Sequence, residues 1–127
     1  MGTNFYLFTK SKAAALNITG HPYDYELVDE PDWGYLIHIA KTSMGWKPLF
    51  QAYDCLNSVR NTRQAYETGD FAILDEYHKE YDWAAFDERV LQHSQDLPAN
   101  TVRSHKEFHQ SFFTDAEGYE FWRVEFC

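Results

Sequence analysis

His38, Lys41, Ser43 and Lys47 fall within a ten-residue stretch and bring together one imidazole, two ammonium groups and a hydroxyl. Such a set suits an anion. The lysines supply charge, and a turn of backbone N–H groups over Thr42 to Gly45 would close a phosphate nest around it. Trp46 adds an apolar wall. The spacing matches neither GxxxxGK[ST] nor GxGxxG, so no known nucleotide loop is present. The structural alternative is a strand histidine, a core tryptophan and solvated lysines.

A second group is acidic. Asp70, Asp75, Glu76, Glu80 and Asp82 lie close enough in sequence to supply a carboxylate pair for two-metal or glycosidase-like chemistry, which needs acids held several Å apart with unequal pKa values. Spacing alone fixes no such geometry, and Asp82 is better used as a helix cap. Six histidines also invite a metal, above all His105 and His109 at i, i+4, but the residues between them are Lys106, Glu107 and Phe108 rather than those of HExxH. A strand beginning near Phe108 would separate the pair. No metal site, cofactor or catalytic residue is therefore assigned. Cys55 and Cys127 form no CxxC pair and no disulfide framework, and both read as free thiols.

The net charge of −9 is distributed unevenly. Residues 1–40 carry five acids and two bases, residues 41–66 one and four, residues 67–96 nine and two, and residues 97–127 five and three. Direct nucleic-acid binding is disfavoured, because phosphate affinity is built from clustered Lys and Arg. The converse stays open: carboxylates gathered on one face can imitate a phosphate array and occupy a basic groove on a nucleic-acid-binding protein. Asp70, Asp75, Glu76, Glu80, Asp87 and Glu88 are the candidates for that face. The plainer explanation for any one of them is solubility.

These groups must be positioned by a single domain spanning 1–127, since 127 residues fit one core and no repeat, low-complexity tract or linker divides the chain. Phe, Tyr and Trp make up 18% of residues, so that core should be largely aromatic. No apolar stretch approaches the ~20 residues of a membrane span, and the start lacks the apolar core of a secretory signal. A protein of the cytosol, without membrane contact, is the expectation.

The aromatic density of Asn4 to Thr9 predicts a strand, followed by a short polar connection and a surface excursion over 17–33 that includes an edge strand near Tyr23 to Val28. Gly34 to Lys41 predicts a buried strand interrupted by His38, and Pro48 to Tyr53 its neighbour, with Thr42 to Lys47 as the hairpin loop. Ser58 caps a helix over Val59 to Thr68 that Gly69 closes. Phe71 to Leu74 reads as extended. Asp82 caps a second helix through about Ser94, with Trp83, Phe86 and Val90 on one face. Phe108 to Thr114 and Tyr119 to Phe126 flank a type I turn over Asp115 to Gly118, and the second of these strands is expected to turn Trp122, Val124 and Phe126 inward. The predicted class is α+β: a mainly antiparallel sheet with about two helices packed on one face.

Three separated segments also match a family in order and spacing. Met1 to Tyr6 (MGTNFY), His38 to Trp46 (HIAKTSMGW), and Asp75-Glu76-Tyr77 together with Asp115 to Phe121 (DAEGYEF) resemble a group of small uncharacterised proteins encoded by phages and prophages. Ala40 and Thr42 stand where members often have Gly and Ser. Some members carry paired cysteines after the opening strand, whereas Leu16 to Val28 here has none, so no metal site carries over. The resemblance implies a viral or mobile-element origin and a place in the host cytoplasm.

A binding role is favoured over an enzymatic one. The expected function is a phage accessory protein that binds and inhibits a host protein, such as a nuclease or defence complex, through an acidic, nucleic-acid-mimicking surface with exposed Tyr and Trp as anchors. The alternatives are a small enzyme or ligand-binding protein using His38, Lys41, Ser43, Trp46 and Lys47, or a minor virion or assembly protein. The sequence leaves a homodimer open.

Overall fold

The computed structural model describes residues 3–20, 26–28, 34–43, 46–92 and 112–123. Its strands are β1 (Thr3–Thr9), β2 (Glu26–Val28), β3 (Gly34–Ser43), β4 (Trp46–Gln51), β5 (Ala72–Asp75), β6 (Glu80–Tyr81), β7 (Phe112–Thr114) and β8 (Glu120–Trp122). The helices are α1 (Lys12–Thr19), α2 (Val59–Glu67) and α3 (Trp83–Phe86), the last passing into a π-helical segment, Asp87–Gln92. The class is α+β, as the sequence indicates, with a third helix added.

All the strands join one sheet in the order β6-β5-β1-β3-β4-β8-β7, and every pairing is antiparallel except β4 with β8. β1 runs along one edge of β3 from Thr3↔Thr42 to Thr9↔Tyr35. β4 takes the far end of the other edge (Ala40↔Phe50), and β2 takes the near end (Leu27↔Tyr35). The β1–β3 register slips between Phe5 and Tyr6, which leaves Ile39 as the extra residue of a bulge.

Alternation in β1 sends Phe5, Leu7 and Thr9 into the interior. They meet Ile37, Ala40, Phe50, Ile73 and Phe121 from neighbouring strands, Ala15 from α1, Val59 and Ala65 from α2, and Phe86, Val90 and Leu91 from α3 and its extension. The core is aromatic, as the composition requires. Phe5 stands edge-on to Tyr81 and Phe86 at 5.4 and 5.6 Å, and Phe121 stacks between Phe50 and Phe113 at 5.1 and 5.4 Å.

Local side-chain chemistry sets most boundaries. Ser58 and Asp82 accept the N–H groups of Asn61 and Ala85, as their N-cap roles require, and Gly69 lies at φ 86° beyond α2. The π winding after Phe86 has a visible consequence. Its wider turn draws both Val90 and Leu91 into the core and brings Gln92 Nε2 to 2.8 Å from Asp87 Oδ2, an i, i+5 pair.

Three expectations are corrected. The polar connection after β1 is the helix α1, capped by Ser11 and closed by Gly20 at φ 77°. The hairpin loop at 42–47 narrows to residues 44–45, because β3 continues to Ser43, which pairs with Trp46. In β8 it is Phe121, not Trp122, that faces the core, since the register Phe50↔Phe121 places those rings together.

Gly34 is fixed by close approach. A Cβ there would lie 2.4 Å from two carbons of the Phe8 ring and 3.0 Å from the Thr9 carbonyl. Gly34→Ala is expected to cost about 1–3 kcal/mol by overpacking, measured as a lower urea midpoint at unchanged m-value.

Candidate functional site

The residues of the anion set lie on the paired strands β3 and β4. His38 is half-buried in β3, its ring 5.0 Å from that of Tyr6, and its carbonyl accepts the Tyr53 hydroxyl at 2.6 Å. Lys41 is half-buried three residues on. Thr42, expected in an open turn, is a ladder residue whose hydroxyl bonds the backbone of Thr3 at 3.3 Å. Lys47 lies in β4 and lines a cleft of about 300 Å³ with Pro48, Leu91, Glu117, Gly118, Tyr119 and Glu120. Neither His38 nor Lys41 lines that cleft. The side chains of Ser43 and Trp46, and the histidine pair His105/His109, lie outside the described residues. Among the described residues no three His, Cys, Asp or Glu side chains gather as metal ligands, and no helix is long and apolar enough to cross a membrane.

The acids lie along one run of chain, residues 67–88, which covers the end of α2, the β5–β6 hairpin and the start of α3, and β6 is the terminal strand of the sheet path. Asp70, Glu76, Glu80, Asp82 and Glu88 are exposed, and Asp87 is half-buried against Gln92. Asp75 is the correction. It is 6% exposed, and its carboxylate accepts the N–H groups of Tyr77 (2.8 Å) and Lys79 (3.0 Å) and the hydroxyl of Tyr81 (3.0 Å). A carboxylate saturated from within its own hairpin is unavailable to a partner, so Asp75 shapes the acidic edge without belonging to its surface.

No family model, curated protein or solved structure matches this chain.

What Asp75 shapes is the turn from Asp75 to Lys79, which presents Tyr77 at 77% exposure with His78 beside it. The backbone closes through Asp75 N to Lys79 O and His78 N to Asp75 O, both 3.0 Å. The turn from Asp115 to Tyr119 is built the same way. Asp115 N donates to Tyr119 O and Gly118 N to Asp115 O, both 3.0 Å, and Asp115 Oδ1 accepts Glu117 N (3.0 Å) and Tyr119 N (2.9 Å). The residue three after each aspartate is left-handed: Gly118 at φ 90° and His78 at φ 66°.

Sequence reasoning identified the second turn because Asp and Gly stand at its ends. It missed the first, where histidine occupies the left-handed position. The signal that would have found it is the aspartate itself, which closes strand β5 and bonds two and four residues ahead.

Proposed function

We propose that this chain is a phage-encoded accessory protein that binds and inhibits a host nucleic-acid-processing or defence protein, using the β5–β6 edge as its contact surface. The observation that carries this reading is Tyr77, a large aromatic side chain 77% exposed on a turn held rigid by a buried carboxylate, with Glu76 and Glu80 exposed in the same hairpin. A rigid aromatic loses little conformational entropy on docking and is a frequent hot spot, while the surrounding acids steer a basic partner and reject nucleic acid. Lys79 is the one base of the hairpin, its ammonium 5.3 Å from the centre of the Tyr81 ring, against the two exposed carboxylates of Glu76 and Glu80. The phage origin is supported by the segment resemblance, and the inhibitory role by the charge pattern.

The test compares wild type, Tyr77→Ala and the double variant Glu76→Lys/Glu80→Lys as immobilised full chains in bacterial lysate, with and without double-stranded DNA as competitor. A basic nucleic-acid-processing protein should be retained by wild type and displaced by DNA. Its retention should fall at least about tenfold for Tyr77→Ala and become less salt-sensitive for the charge reversal. Retention indifferent to all three perturbations would remove the reading.

A further inference from the structure

The two aspartate turns form a controlled comparison inside one molecule. They share the same four closing hydrogen bonds and the same left-handed third residue after the aspartate, and they differ in what occupies that position. Gly118 is the expected occupant, since a residue without Cβ adopts positive φ at little cost. His78 is, among the described residues, the only non-glycine residue at positive φ. Its side chain is exposed and repays nothing to the fold: no hydrogen bond, ion pair or ring contact engages the imidazole. Strain held in a position where the same chain elsewhere uses glycine, with no compensating internal contact, belongs to a side chain that acts outward.

We propose that His78 is itself a contact residue, forming with Tyr77 a two-ring recognition tip for a basic protein surface. The inference rests on the docking role proposed for this edge and adds the chemistry of the partner. An imidazole offers two ring nitrogens for hydrogen bonding. Flanked by the carboxylates of Glu76 and Glu80, it suits a partner that presents Lys or Arg N–H groups around a recess wide enough for the Tyr77 phenol.

One arm of the test needs no partner. His78→Gly in the full chain should raise Tm by about 2–5 °C, because the strain is relieved and no contact is lost. An unchanged or lower Tm would overturn the inference. The second arm pans a random-peptide display library on the wild-type chain and measures the enriched peptides against variants. Lys- or Arg-rich peptides should weaken at least tenfold on Tyr77→Ala and on His78→Gly. They should also weaken on His78→Asn, which tolerates the left-handed backbone and keeps the turn stiff. Gly118→Ala, in the other turn, should bind as wild type does. Peptides that lose affinity for Tyr77→Ala but keep it for both His78 variants would overturn the role of His78 and leave the docking edge standing. Peptides indifferent to Tyr77 as well, or no enrichment, would overturn both.

Discussion

Asp115→Ala is expected to destabilise the protein by about 2–3 kcal/mol, a loss of roughly 10 °C in Tm. The residue looks like an ordinary turn aspartate, but it holds two structures together. Oδ1 closes the β7–β8 turn through Glu117 N and Tyr119 N, and Oδ2 reaches across 56 residues of sequence to accept Val59 N, at 2.9 Å, at the start of α2. Ser58 satisfies one N–H of that helix start, and Asp115 satisfies another while placing a negative charge against the positive end of the helix. Asp115→Asn separates the contributions. The amide oxygen can still close the turn, but its NH₂ would face Val59 N–H, so about half the loss should remain. Chemical denaturation of the three proteins checks the ordering, and equal stability of Asn and Ala variants would show that the helix contact carries the whole effect.

Asp75→Ala should cost more, about 3–4 kcal/mol, because the carboxylate is buried and three donors lose their acceptor together. One of those donors supplies a pH signature. Burial first, then the hydrogen bond and the charge of Asp75, push the Tyr81 phenol above its usual 10.0, with Arg89 acting in the opposite direction. A raised folded-state value means that the unfolded chain releases this proton first as pH rises. The stability linked to Tyr81 is therefore complete below about pH 10 and is lost as pH climbs through the folded value. Tyr81→Phe should flatten that alkaline decline, and Asp75→Ala, which removes two of the causes, should make it smaller and end it at lower pH. Urea melts between neutral and strongly alkaline pH measure both. An alkaline limb identical in all three proteins would contradict this account.

Sequence reasoning succeeds where a side chain acts nearby. Ser58, Asp82 and the turn-closing Oδ1 of Asp115 act on backbone groups a few residues away, so those roles are written locally and could be read without a structure, unlike the reach of Asp115 to Val59. The α1 helix was missed because KAAALNIT has too weak an apolar stripe to announce a helix, although Ser11 and Gly20 mark its ends. The facing of β8 was inverted because Trp122, Val124 and Phe126 form the more apolar alternation. What decides the matter is a partner strand far away, Phe50 opposite Phe121, and no local pattern encodes that. The π winding of 87–92 likewise depends on Val90 and Leu91 both being drawn inward. As for the candidate site, the acidity of the edge was legible as a charge count. The withdrawal of Asp75 and the exposure of Tyr77 were not, because both depend on which way the chain turns at residue 78.

The one parallel pairing among the described residues has a consequence for how the protein is made. β4 meets β8 across a separation of 71 residues, as in the bond from Gln51 to Trp122. At a translation rate of 5–20 residues per second, the ribosome needs about 4–14 s to supply that partner. Until then the nascent β4 has no partner on its β8 side, whereas β1 and β3 already have one another. A slowly translated message, or a ribosome stalled before codon 120, would therefore leave an unpaired strand edge of the kind that chaperones cover.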